Sequence, residues 1–264
     1  MKGVSVLAKI EYEVKDHLGY VTINRPDVLN CFDYETLVAL GETVQAIHTD
    51  RNVRVAIFTG AGEKAFSAGA DLKERKTLTE AQVRRNVKKI RDVFSEIAAL
   101  PQPTIAAING YALGGGFELA LACDFRIAVS DTKLGLTETS WAIIPGAGGT
   151  QRLPRLIGES KAMELILTAK RVTSEEALAL GILHSMVERE NLMGAAEELA
   201  TQLTKNGPIA VQQAKFAIKK GLNTDLHTGL DIEAKAYEMT IPTKDRIEAL
   251  NAFNEKRPPN FKGE

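Results

Sequence analysis

The chain has 264 residues, enough to bury one large core or one core with a helical appendage. With 44% hydrophobic and 25% charged residues it falls among globular chains, not disordered or fibrous ones. A formal net charge of -1 excludes the broad electrostatic footprint that nucleic acid or an anionic membrane surface would call for.

The opening MKGVSVLAKIEYEVKD has one early lysine, but Lys9 and Glu11 interrupt its apolar run before it reaches the length of a secretory leader. Ile10 to Val14 and Tyr20 to Ile23 read as paired strands around turn residues 16–19. Residues 33–47 fit an amphipathic helix, with Leu37, Leu40, Val44 and Ile47 on one face and Asp33 as N-cap. VRVAIFTG (53–60) is a nearly continuous apolar run ending in glycine, the pattern of a strand covered on both faces. A second helix is expected over residues 80–98, where Val83, Val87, Ile90, Phe94 and Ile97 step by four and three.

TIAAING (104–110) and DFRIAVS (124–130) are further buried strands, so strand–helix alternation predicts an α/β fold. From about Asn191 onward helical patterns replace strand signals, which divides the chain into an α/β core over 1–195 and a helical part over 196–264. No segment reaches the roughly 18 uninterrupted apolar residues of a membrane span. Cys31 and Cys123 both lie in apolar contexts and read as buried thiols of a reducing, cytoplasmic setting. The four histidines lack metal-ligand spacing, so no metal site is expected.

Chemistry concentrates in a few small-residue turns. In YALGGGFELALACD (111–124), three glycines follow a buried strand and open a helix. They match neither the dinucleotide fingerprint nor a P-loop, and PGAGGTQ (145–151) matches neither as well. No G-x-S-x-G nucleophile elbow is present. Two explanations of the glycines stand level: tight helix–strand packing, or free helix N-terminal amides that hold a developing negative charge on oxygen. SAGAD (67–71) could supply a second such amide, or be an ordinary loop in which Asp71 caps a helix.

Glu118 lies among Phe117, Leu119 and Ala120, and Glu138 follows LGL. A carboxyl in apolar surroundings has its neutral form favoured, and two of them can divide acid and base work. Solvated or salt-bridged glutamates are the ordinary alternative. The stretch from Lys73 to Val93 carries eight Lys/Arg against three acidic residues, with Arg84, Lys88 and Arg91 on one stripe. Such a run is chiefly a solvated helix face, and a polyphosphate or RNA contact is the less favoured reading.

Taken together, NRPDVLN, AFSAGADLKE, LPQPTIAAINGYALGGGFELALACDFRIA, LGLTETSWAIIPGAGGTQRLPRLIG and EKRPPNFKG resemble the enoyl-CoA hydratase/isomerase (crotonase) superfamily, in family order and over nearly the whole chain. The C-terminal TIPTKDRIEALNAFNEKRPPNFKGE looks most like its methylglutaconyl-CoA hydratase branch, one member of which binds AU-rich RNA. Many members carry alanine where Cys31 stands.

The resemblance implies a spiral of ββα units with a C-terminal helical trimerisation region, in trimers that commonly pair into hexamers. It implies an acyl-CoA thioester substrate, with coenzyme A part of that substrate, and no metal or redox cofactor. Carried over by position, the backbone N–H groups of Ala70 and Gly115 would form the oxyanion hole. Glu118 and Glu138 would be the acid–base pair, and Ala68, Asp71, Leu72 and Lys73 would line the CoA site. An isomerase of this superfamily can operate with one glutamate, so two favour a hydratase. RNA binding is not expected of this chain, because DYETLVALGETVQAIHTD (33–50) has no Lys or Arg.

Overall fold

A computed structural model describes residues 8–264; the first part of the stretch read above for a leader, residues 1–7, lies outside the described residues. Strands β1 (Ile10–Lys15) and β2 (Leu18–Ile23) form an antiparallel hairpin. Its two turn residues, Asp16 and His17, take φ of 49° and 69°, the left-handed pair that matches strand twist in a two-residue turn. Asp33 caps α1 (Tyr34–Thr49) by accepting the Thr36 N–H at 2.8 Å. The chain then enters β3 (Val55–Gly60), parallel to β2.

From there a unit repeats: a long buried strand, a short strand of a second sheet, then helix. β3 is followed by β4 (Ala65–Ser67), α2 (Leu72–Arg75) and α3 (Glu80–Ala99). β5 (Thr104–Ile108) is followed by β6 (Tyr111–Leu113) and α4 (Gly115–Ala122). β7 (Phe125–Val129) is followed by β8 (Lys133–Gly135), α5 (Gly149–Ile157) and α6 (Glu159–Leu167). β9 (Val172–Thr173), α7 (Ser174–Ala179) and β10 (Ser185–Val187) close the spiral. The long strands and the short β10 form one sheet in the order β1-β2-β3-β5-β7-β10, and the other short strands a second sheet, β4-β6-β8-β9.

Both faces of the central strands β3, β5 and β7 are covered, which explains their unbroken apolar runs. In β3, Ala56 and Phe58 enter the main core with α1, α3 and α4 residues, while Val55 and Ile57 meet the second core beneath α8 (Leu192–Thr204). Ala196 and Ala200 of α8 are fully buried there. The 195/196 division therefore falls inside a helix that packs on the sheet, and the extension proper is α9 (Pro208–Gly221), α10 (Leu226–Glu238) and α11 (Lys244–Glu255).

Gly221 and Gly229 let α9 and α10 approach closely, an added Cβ on either lying 3.5 Å from the other's Cα. Lys215 and Lys219 fasten α9 to the core by ion pairs to Asp124, just past the end of α4, at 2.6 and 2.5 Å. Leu222, Leu226 and Phe253 of this extension are 80% or more exposed. No helix among the described residues is long and apolar enough to cross a membrane.

Candidate active site

The site begins with two turns brought edge to edge. β4 pairs with β6 in parallel, so the chain leaving β4 and the chain entering α4 emerge side by side. Ser67 secures the first turn: its hydroxyl donates to the Asn30 carbonyl at 2.8 Å and accepts the Gly69 N–H at 3.2 Å. Gly69 (φ 93°) and Gly114 (φ 53°) then take backbone conformations that side chains resist. A Cβ on Gly69 would lie 2.9 Å from the Gly115 nitrogen, and one on Gly115 would lie 3.8 Å from the Ala70 nitrogen.

The flanking amides of Phe32 and Asp71 are spent on the bridge between residues 32 and 70. No backbone partner engages the Ala70 N–H among the described residues, and Gly115 is the first residue of α4, whose amide has no acceptor within the helix. Two free amides thus meet at the positive end of a buried helix.

They open into a cavity of about 590 Å³ whose wall includes Ala68, Ala70, Asp71, Leu72, Gly114, Gly115, Glu118 and Glu138. Glu118 is 3% exposed. Its Oε1 accepts the Ala147 and Gly149 N–H groups, both at 2.8 Å, and Gly149 is the first residue of α5. Burial pushes its pKa above the ordinary carboxylate value, against those two amides and the nearby Arg152 guanidinium. Arg152 also donates to the Ala147 carbonyl at 2.7 Å and so holds the loop that holds Glu118.

Glu138 opens a short 3-10 helix (Glu138–Trp141), and its Oε1 would lie 3.3 Å from a Cβ on Gly114. Its Oε2 is buried without a hydrogen-bond partner. Burial and the Glu118 carboxylate push its pKa up to about 7. Glu118 has its charge stabilised by the amides of Ala147 and Gly149, whereas Glu138 has only its own backbone amide, so a proton in the pair is favoured on Glu138.

The cavity with its paired amides and carboxylates is what an acyl-transfer or enolate-forming site requires. The enoyl-CoA hydratase/isomerase family profile matches residues 13–264. The chain belongs to the enoyl-CoA hydratase/isomerase family. It is 57% identical over 261 residues to the Bacillus subtilis (strain 168) protein YngF, which carries that family's name, covering 99% of each chain. It is 50% identical over 275 residues to human mitochondrial methylglutaconyl-CoA hydratase, covering 100% of this chain and 81% of that protein. The fold matches the enoyl-CoA hydratase of Bacillus anthracis with a TM-score of 0.96 at 52% identity, over 97% of this chain and 100% of that one. The crotonase architecture expected from the resemblance is thus the fold of this family member.

The remaining expected residues divide. Ala68 and Leu72 line the cavity. Asp71 lines it too, but its carboxylate is occupied: it accepts the Lys73 and Glu74 N–H groups at the start of α2 and pairs with Arg25 at 3.0 Å. Lys73 is exposed and lies outside the cavity wall. Cys123 is buried as expected, whereas Cys31 is half-buried; burial pushes their thiols up to about 12 and 11 respectively.

The basic stripe on α3 is partly neutralised in place, Arg84 by Glu80 and both Lys88 and Arg91 by Asp92. Sequence reasoning overlooked the far wall of the cavity, formed by Leu78, Val83, Val87, Trp141, Ile143 and Ile144. The apolar spacing of Val83 and Val87 was visible, but nothing distinguished a cavity-facing stripe from a core-facing one.

Proposed function

We propose that the protein is an enoyl-CoA hydratase that adds water reversibly and syn across the double bond of a 2-trans-enoyl-CoA, giving the 3-hydroxyacyl-CoA. The observation that carries this is the unequal pair of carboxylates in one cavity with two free amides. The thioester oxygen accepts from the Ala70 and Gly115 N–H groups, which favours enolate-like charge beside the α-carbon. Glu118, ionised, takes a proton from water as the water oxygen bonds to the β-carbon. Glu138, neutral, gives its proton to the α-carbon. A proton passed from Glu118 to Glu138 resets the pair, and the step balances without a redox partner.

Ala68 and Leu72 would receive the pantetheine end, with Lys73 outside the wall available to coenzyme A phosphates. The exposed apolar residues of α9 to α11 support burial against further copies, in the trimer or paired trimers that the family resemblance implies. A cytoplasmic location fits two unbridged cysteines.

Incubation with crotonyl-CoA in H₂¹⁸O tests the reading. Loss of conjugated thioester absorbance with one labelled oxygen on the β-carbon is expected; migration of the double bond in a 3-enoyl-CoA without hydration would instead assign an isomerase. The second reading, a methylglutaconyl-CoA hydratase, rests on the 50% identity to the human protein of that name across the full chain.

A further inference from the structure

Among the described residues, five charged side chains line the cavity: Asp71, Glu74, Arg75, Glu118 and Glu138. Each carboxyl group has an evident occupation. Asp71 caps α2 and pairs with Arg25. Glu74 accepts the Tyr34 N–H through one oxygen and the Asn86 side-chain amide through the other, both at 3.2 Å. Glu118 and Glu138 form the acid–base pair derived above.

Among the described residues Arg75, the last residue of α2, is the single cation on this wall. It is half-buried, and among the described residues its guanidinium makes neither a hydrogen bond nor an ion pair. The same wall carries Leu78, Val83 and Val87. A guanidinium partly withdrawn from water beside aliphatic groups loses hydration without compensation until an anion arrives. Its planar donor fork matches a carboxylate. Those aliphatic neighbours suit an acyl chain better than a hydrated pyrophosphate.

We propose that Arg75 is a specificity-determining residue that receives a carboxylate at the far end of the acyl group, so that the preferred substrate class is an enoyl-CoA with a distal carboxylate. The proposal rests on the hydratase reading of the same site. Phosphate oxygens of coenzyme A present the same anionic chemistry, and the two sources separate by substrate. A phosphate contact serves every acyl-CoA equally, whereas a carboxylate contact serves only the dicarboxylic one.

The test compares kcat/KM for 3-methylglutaconyl-CoA and crotonyl-CoA in the wild-type protein, Arg75→Met and Arg75→Glu. One lost charge-assisted contact corresponds to a fall of about 10–100-fold. The ratio of the two constants should fall by that factor in Arg75→Met and further in Arg75→Glu, where the charge is reversed. A ratio unchanged in both variants overturns the proposal, including the case in which both constants fall together because the guanidinium holds phosphate. Two variants of different shape guard against a single folding failure, which thermal melting would reveal. If the wild-type protein hydrates crotonyl-CoA but shows no preference that Arg75 controls, only this proposal fails. If it hydrates neither thioester, the hydratase reading fails with it.

Discussion

The two walls of the cavity are built differently. The inner wall consists of backbone and short side chains on buried elements: Ala68, Ala70, Gly114 and Gly115, with every residue of α4 buried. The outer wall consists of large side chains, several left in the open: Ile143 is 38% exposed, Trp141 64% and Ile144 71%. Charge that develops during a reaction needs donors that do not move, and buried peptide groups meet that need. An acyl chain needs only apolar surface, which exposed side chains can supply and vary without disturbing the core. Chemistry and selection are thus assigned to separate materials.

The contrast can be broken in several places. The largest effect is expected at the inner carboxylates, where Glu118→Gln or Glu138→Gln should each lower kcat by about 10²–10⁴-fold. Ile144→Ser on the outer wall should act mainly on KM and by less than about tenfold. A kcat loss at Ile144 comparable to that at Glu118 would erase the distinction.

Stability should show the same division. An added Cβ on Gly116 would lie 2.0 Å from the Ser67 carbonyl oxygen, whereas on Gly146 its nearest contact is the Val87 Cγ1 at 3.4 Å. Gly116→Ala should cost about 3 kcal/mol or more, and Gly146→Ala less than about 1 kcal/mol, in urea denaturation. Equal costs would show that α4 is free to shift away from β4.

The third effect depends on pH. Because the Glu138 carboxyl titrates near 7 when folded and near 4.5 as a free side chain, its ionisation opposes folding. The penalty is absent below about pH 4.5, grows as pH rises toward 7 and is complete above it. Glu138→Gln should therefore match the wild-type protein at pH 4 and exceed it by about 3 kcal/mol at pH 8. A difference independent of pH would mean that Glu138 is not held neutral. Turnover in the wild-type protein should also decline above about pH 7 as this proton is lost.

Much of the scaffold was legible because its periodicities are long. The helix predicted over 33–47 is observed as Tyr34–Thr49 with Asp33 at its cap, and the one predicted over 80–98 as Glu80–Ala99. Apolar runs marked β3, β5 and β7, since strands covered on both faces leave no polar positions. The second sheet escaped notice. Its strands hold two or three residues each, too few for any alternation to register.

Of the site, Glu118 and Glu138 stood out because glutamate is unusual in an apolar run. Asp71 illustrates a limit of position-by-position transfer: its place on the wall and its capping of a helix were both readable, but its commitment to Arg25 joins residues 46 positions apart. Arg75 was hidden among eight like-charged residues, and only its inclusion in the cavity wall separates it from the solvated stripe.

The contact beneath Gly116 has a consequence for how this architecture can diverge. When one side chain obstructs another, trimming the obstructing partner can restore the fit. Here the obstruction is the carbonyl of residue 67, an atom that every amino acid carries. No exchange at 67 creates the missing space, so a lineage that acquires a side chain at 116 has no compensating replacement at its partner and must displace a strand.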